Sequence, residues 1–185
     1  MTETDLHAAE RDWPVEPVPP RVVVTAAAAA LLRHLADVHG PLMVHQSGGC
    51  CDGSTPMCFP LGEFAVGDHD VLLGVLDLSL GVGEVPVGAA EEDDAVPVWI
   101  SGPQFDAWKH TQLVLDVVPG RGAGFSLEAP EGVRLLSRGR VFDDAEQVAL
   151  AARPPVVGAE WARGRRPDLE ESPVIVASAV REESE

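Results

Sequence analysis

Residues 21–46 read RVVVTAAAAALLRHLADVHGPLMVHQ and decide the fold of this chain. The valines at 22–24 predict a short strand, because β-branched residues favour extended backbone. Thr25 is suited to be the N-cap of a helix over about residues 25–39, which Gly40 is placed to end. Apolar residues recur at helical spacing along this segment, and an apolar strand candidate follows it. The stretch therefore predicts a strand, one principal helix and a second strand.

The rest of the chain is richer in strand signals than in helical ones. Apolar runs bounded by Gly, Pro and Asp occupy most of residues 59–80, 98–101 and 113–141, with one short helix predicted between the last two. We therefore expect an α+β domain with a mainly antiparallel, twisted sheet or β-sandwich and one principal helix. A doubly wound parallel sheet is not expected, because it needs a crossover helix after nearly every strand.

The predicted domain covers residues 21–143 and is flanked by polar segments. Residues 1–20 are acidic and then proline-rich, which is typical of a flexible arm. Residues 81–97 carry a run of acidic residues among Gly, Pro and small side chains, which predicts a mobile surface loop. Residues 144–185 are rich in Pro, Arg and Glu, and we expect them to form a poorly ordered tail.

The charge of the chain limits its partners. The sequence has 185 residues, of which 30 are acidic and 13 basic, giving a formal net charge of −17. This excess argues against nucleic acid and against anionic membrane surfaces as partners. The first residues, MTETDLHAAERDWP, have neither a basic start nor an apolar core segment, so we expect no secretory signal. We therefore expect a cytoplasmic protein and leave a homo-oligomer open.

All three cysteines of the chain fall within residues 43–60, MVHQSGGCCDGSTPMCFP. The glycines around them allow a tightly folded loop that brings side chains together. An odd number of cysteines in a reducing cytoplasm argues against a disulfide framework. Thiols and imidazole together suit Zn, Fe or Cu rather than Mg or Ca, so we predict a transition-metal site. Its predicted ligands are Cys50, Cys51, Cys58, His45 and His110.

Two other groups of polar residues carry structural predictions. Asp116 lies within an apolar strand, where an unpaired carboxylate would be costly. We therefore expect it to be partly buried and paired with Arg121. Residues 68–70, Asp-His-Asp, are most simply solvated turn residues.

Four segments together resemble a bacterial family known as domain of unknown function 779. They read VHQSGGCCDGSTPMCFP, DVLLG, WKHTQLVLDVVPGRGAGFSLE and GVRLLSRGRVF, and the resemblance covers about residues 21–143. Members of that family are often encoded beside aldehyde or alcohol dehydrogenases. The resemblance therefore implies such a dehydrogenase as a partner.

A second similarity concerns the architecture of A-type iron–sulfur carriers, the HesB-like domain. That family places a Gly-Gly-Cys segment after its first helix, which Gly48, Gly49 and Cys50 match. Its C-terminal Cys-Gly-Cys has no counterpart here, because no cysteine lies beyond Cys58. If the fold is shared, the metal site is built differently or has been lost.

Our first hypothesis is a small accessory protein, rather than an enzyme, whose transition metal supports a neighbouring dehydrogenase. A thiol redox protein is an alternative, since two adjacent cysteines form a strained and easily reduced disulfide. A small enzyme that uses a cysteine or a bound metal on an aldehyde-like substrate is another. Cysteines that merely pack in the core are a fourth. A Ser–His–Asp hydrolase lacks the expected nucleophile elbow.

Overall fold

The computed structural model of the chain describes residues 18–48, 55–121 and 124–179. Within these ranges the chain forms eight strands and four α-helices. The strands are β1 (Val22–Thr25), β2 (Leu42–Gln46), β3 (Pro56–Pro60), β4 (Val71–Asp77), β5 (Ala95–Ile100), β6 (Thr111–Pro119), β7 (Val133–Val141) and β8 (Val174–Val176). The helices are α1 (Ala26–His39), α2 (Gly102–Trp108), α3 (Asp144–Ala151) and α4 (Gly158–Ala162).

The principal helix is α1, and its predicted ends are confirmed. The Thr25 side chain accepts a hydrogen bond from the Ala28 N–H at 3.1 Å, which satisfies a backbone donor of the first turn. Gly40 ends the helix with a positive φ of 82°, and its N–H donates to the Ala36 carbonyl. The buried face of α1 consists of Ala28, Ala29, Leu32 and Leu35.

The strands form two four-stranded sheets, and each sheet mixes parallel and antiparallel pairs. The first sheet has the order β7-β6-β1-β8, in which β1 is parallel to both β6 and β8 while β6 and β7 are antiparallel. The second has the order β3-β2-β5-β4, in which β2 and β5 are parallel and both outer pairs are antiparallel. The α+β class is confirmed, but the sheets are mixed where we expected mainly antiparallel pairing.

One hydrophobic core joins α1 to both sheets. Val24 of β1, Val44 of β2 and Leu32 of α1 are fully buried members of it. A second, smaller cluster covers the opposite face of the second sheet and contains Met43 and Trp99. Because side chains alternate along a strand, successive residues of β2 enter different clusters. This alternation determines which of the predicted metal ligands can lie on the same face of the second sheet.

The segment after residue 143 differs from the poorly ordered tail that we expected. It contains α3 and α4, and β8 adds to the first sheet with Val23 opposite Val174. Ile175 is buried in the main core beside residues of α1 and β1. The apolar residues near the end of the chain are therefore part of the domain.

Asp116 is partly buried, as predicted, but its partner is not Arg121. The carboxylate accepts a hydrogen bond from Thr25 Oγ1 at 2.9 Å and lies 3.3 Å from Arg138 Nε. Arg121 is exposed. Arg138 lies diagonally across from Asp116 on the neighbouring strand β7, within reach on the same face of the sheet. The prediction of an Asp116–Arg121 pair was wrong.

The helices of the described residues were examined for length and apolar character. None of the helices there combines the length and the apolar character that a bilayer span requires.

Candidate functional site

An open cleft lies where two parallel strands of the second sheet end. Gln46 and Ile100 are the last residues of β2 and β5, and the Ser101 N–H donates to the Gln46 carbonyl at 3.0 Å. The loops after neighbouring parallel strands are a common place for ligand sites. The cleft has a volume of about 810 Å³. Its lining consists of His45, Ser47, Gly48, Phe64, Ala65, Gly67, Asp70, Ser101, Pro103 and Gln104.

His45 is the central titratable group of this cleft. Its side chain is 3% exposed, and its Nε2 lies 2.9 Å from Asp70 Oδ2. Its Nδ1 lies 3.1 Å from Ser47 Oγ. The ring packs against Phe64 with the two centroids 4.4 Å apart. Both nitrogens and one ring face of the imidazole are therefore held in place.

The partners of His45 define which nitrogen carries its hydrogen. A carboxylate can only accept hydrogen bonds, so in the neutral imidazole that faces it Nε2 carries the hydrogen and donates to Asp70 Oδ2. Nδ1 is then an acceptor, and the Ser47 hydroxyl donates to it. The cleft thus contains an imidazole whose basic nitrogen faces the segment that follows β2 in the chain.

Asp70 is held by the turn that precedes β4. Its Oδ2 also accepts a hydrogen bond from the Gly67 N–H at 2.8 Å. Its backbone carbonyl accepts from the Gly158 N–H at 2.8 Å, which ties the turn to the start of α4. The prediction that residues 68–70 are simply solvated turn residues is therefore wrong for Asp70. The sequence offers no signal for this role, because His45 and Asp70 are 25 residues apart.

Ser101 adds an unpaired polar atom beside the cleft. Its Oγ is buried and has no hydrogen-bond partner among the described residues. The residue stands at the N-cap of α2, yet its side chain does not cap that helix. A Cβ built on Gly48 would lie 2.9 Å from this Oγ, so the two loops approach closely. A buried hydroxyl without a partner is available to an acceptor on a ligand.

Cys58 does not share this cleft. It lies on β3 directly opposite Val44, and both side chains enter the main core. His45 follows Val44 on β2, so its side chain leaves the opposite face of the same sheet. Burial and, to a lesser extent, the charge of Glu128 raise the pKa of the Cys58 thiol to about 12. In this position Cys58 packs in the core as a small apolar side chain.

A buried polar cluster lies beside Cys58. The Ser126 hydroxyl accepts a hydrogen bond from the Cys58 N–H at 2.8 Å and donates to the Glu128 carboxylate. Glu128 is 1% exposed, and the Leu135 N–H donates to its other oxygen at 3.3 Å. These bonds attach the loop before β7 to both β3 and β7. Their role is structural.

The remaining predicted ligands are distributed as follows. Cys50 and Cys51 lie outside the described residues. His110 is exposed between α2 and β6, and it lines a different cavity from His45. In the part of the chain that the structure describes, no three His, Cys, Asp or Glu residues are grouped closely enough to hold a metal ion. The structure therefore does not bring His45, His110 and Cys58 together.

The sequence was also compared with known proteins. The family model described as domain of unknown function DUF779 matches residues 31–141, which is more than half of the chain. Neither the search of curated proteins nor that of solved structures gave a match. The HesB-like similarity accordingly stays a prediction. The match to the family model bears out the resemblance carried by the cysteine segment and by β4, β6 and β7, and the chain belongs to the DUF779 family.

Proposed function

We propose that this chain is a small cytoplasmic accessory protein that holds a transition metal at the His45 cleft. Its ligands would be His45 Nδ1 and the thiols of Cys50 and Cys51. The observation that supports the proposal is the environment of His45. Histidine ligands usually donate their second ring N–H to a carboxylate, which orients the ring and makes the ligating nitrogen more basic. Asp70 stands in that relation to Nε2.

The position of the two cysteines along the chain fits this arrangement. Gly48 lines the cleft, and Cys50 follows it by two residues. Consecutive Cα atoms are about 3.8 Å apart, so chain connectivity alone limits the distance between the Cα atoms of Gly48 and Cys50 to about 7.6 Å. The Ser47 hydroxyl, which now donates to Nδ1, can rotate away at little cost.

This proposal narrows the ligand set that the sequence suggested. Cys58 belongs to the core, and His110 belongs to another cavity. A site with one imidazole and two thiolates suits Zn, Fe or Cu. A reducing cytoplasm would keep the thiols available. The dehydrogenase partner implied by the family resemblance is part of the proposal, as the protein that such a metal would serve.

Metal analysis of freshly purified protein tests the proposal. We expect about one transition-metal ion per chain in the wild type, and loss of that ion in His45→Ala and in the double variant Cys50→Ser, Cys51→Ser. Cys58→Ala and His110→Ala are the matched controls, one thiol and one imidazole outside the cleft, and both should retain the metal. Circular dichroism should show all variants folded. A metal-free wild type, or equal loss in the controls, would refute the site.

A thiol enzyme is the second candidate, and the same imidazole favours it. A histidine that is oriented by a carboxylate and has an acceptor nitrogen is the usual activator of a nucleophilic thiol, and Nδ1 of His45 would serve once the Ser47 hydroxyl turns away. In that case the protein purified without metal should react with iodoacetamide at Cys50 or Cys51 much faster than a free cysteine at pH 7. The rate should fall in His45→Phe and stay unchanged in His110→Phe. Slow alkylation in the wild type would exclude this function.

A further inference from the structure

A second cavity lies beside the first sheet, at the end where its two central strands β1 and β6 begin. These strands are parallel, so the residues that precede them lie close together: Arg21 before β1, and Lys109 and His110 before β6. The three side chains line a cavity of about 320 Å³. The rest of its wall is mainly apolar and includes Phe105, Leu150, Pro154 and Pro155.

Arg21 is a buried cation that makes no direct ion pair within the described residues, although the charge of Glu171 acts on it. It is 6% exposed, and its Nη2 donates to the carbonyls of Leu150 and Arg153 at 3.2 and 2.6 Å. Those carbonyls carry only partial charges. Among the residues that the structure describes, Nε is buried without an acceptor and no ion pair includes this guanidinium.

Burial of this cation is costly without a negative partner. Desolvation by burial lowers the pKa of Arg21, and the charge of Glu171 offsets part of this effect. The guanidinium also lies 5.7 Å from the centroid of the Phe105 ring. These contacts stabilise the side chain in its position, but none of them places a carboxylate directly against the guanidinium.

Lys109 brings a second cation to the same cavity. It is the only lysine in the sequence of a protein with a formal net charge of −17. Its Nζ lies 3.4 Å from Asp106, and both side chains are largely exposed, so this pair is weak and leaves the ammonium able to turn toward the cavity. Two cations from distant parts of the chain thus converge at a cavity whose remaining wall is mainly apolar.

We propose that this cavity binds a small organic carboxylate. The carboxylate would lie between Arg21 and Lys109, since guanidinium and ammonium groups form their strongest hydrogen bonds with ionised oxygens. The apolar part of the ligand would pack against Phe105, Leu150 and the two prolines. A cavity of this size lies at the lower end of the range for small-molecule sites. The proposal is independent of the metal site at His45, which lies in another cleft.

Titration of the full-length protein with sodium benzoate, followed by two-dimensional NMR, tests the inference. We expect residues around the cavity to shift, with a Kd on the order of 1 mM. Benzyl alcohol has the same ring without the charge, and inorganic phosphate has charge without the ring. Each should bind at least about tenfold more weakly. Equal binding of either one, or no shift with benzoate, would overturn the proposal.

Lys109→Met provides the matched variant, because Lys109 is exposed and its loss should not unfold the protein. We expect benzoate affinity to fall about three- to fivefold, the range for a solvent-screened charge. Arg134→Met removes one positive charge at the distant end of β7 and should leave the affinity unchanged. Benzoate should also slow acetylation of Lys109 Nζ, as read from the mass of its peptide. Unchanged affinity in Lys109→Met, or no protection, would refute the site.

Discussion

Val44 and His45 are neighbours in the sequence, but they serve different parts of the molecule. Val44 faces the main core opposite Cys58, whereas His45 faces the cleft and contacts Asp70. A strand directs successive side chains to opposite faces, so the distance between two residues along the chain says little about whether they meet. At the residue scale this alternation separates the thiol of Cys58 from the imidazole.

The buried thiol of Cys58 should make the protein sensitive to alkali. Its pKa is raised from 9.0 to about 12 in the folded state. Between these pH values the unfolded chain releases the proton while the folded chain keeps it, so stability falls as the pH rises. We expect the wild type to lose roughly 1 kcal/mol of unfolding free energy per pH unit above pH 9 beyond the loss in Cys58→Ala. Urea unfolding at several pH values measures the difference.

Few other side-chain types lose a proton between pH 9 and about 12, so the difference between the two proteins can be assigned to Cys58. The chain contains no tyrosine and one lysine. Cys50 and Cys51 are present in both proteins, and their contribution cancels in the comparison. Parallel pH profiles for the wild type and Cys58→Ala would contradict a buried, neutral Cys58.

At the scale of elements, Thr25 joins the start of α1 to the first sheet. Its hydroxyl accepts from the Ala28 N–H and donates to the Asp116 carboxylate. Thr25→Ala removes the helix cap and one hydrogen bond to a half-buried charge. We expect a loss of about 1–3 kcal/mol in unfolding free energy, measured in urea. Thr25→Ser keeps the hydroxyl and should lose less than half as much. Equal losses would show that packing of the methyl group dominates.

Close backbone contact between α4 and the turn before β4 positions Asp70. A Cβ built on Gly158 would lie 2.0 Å from the Gly67 carbonyl oxygen. Gly158→Ala therefore forces the two segments apart, and we expect a loss of about 1–3 kcal/mol in thermal or urea unfolding. NMR signals of the His45 ring should shift as well, because the turn carries its carboxylate partner.

The matched control for that substitution is Gly88→Ala. A Cβ at Gly88 would meet no atom of the described residues within 4 Å. Its effect should stay within about 0.5 kcal/mol, as for most surface changes. A Gly158→Ala protein as stable as this control would show that the contact between α4 and the turn is not needed.

For the whole molecule, the C-terminal strand completes the core that α1 shares with both sheets. Ile175 is 2% exposed and belongs to that core. Ile175→Ala should cost about 2–5 kcal/mol of unfolding free energy, the usual range for such a change in a packed core. Val148→Ala, at a residue 72% exposed, should cost almost nothing. Denaturant unfolding followed by tryptophan fluorescence measures both. Equal stability of the two variants would place β8 outside the cooperative domain.

The sequence by itself determined the elements whose signals are local. The ends of α1 follow from Thr25 and Gly40, because capping and positive φ depend on the nearest residues. The apolar run of β6 and the short helix α2 were likewise predicted. The family followed from the cysteine segment and the later strands, since these motifs are specific along the chain itself.

Only the tertiary structure decided which of these elements meet, because pairing between distant segments depends on the whole packing rather than on neighbours in sequence. Asp116 pairs with Arg138 across the β6–β7 ladder, and not with Arg121 nearby in the chain. The apolar residues Val174–Val176 form β8 because they pair with β1 and because Ile175 packs in the main core. The candidate site needed the same information. The sequence predicts His45 as a site residue, but its carboxylate partner Asp70 lies in a turn 25 residues later in the chain. Its side chain is separated from that of Cys58 because the two side chains lie on opposite faces of one sheet.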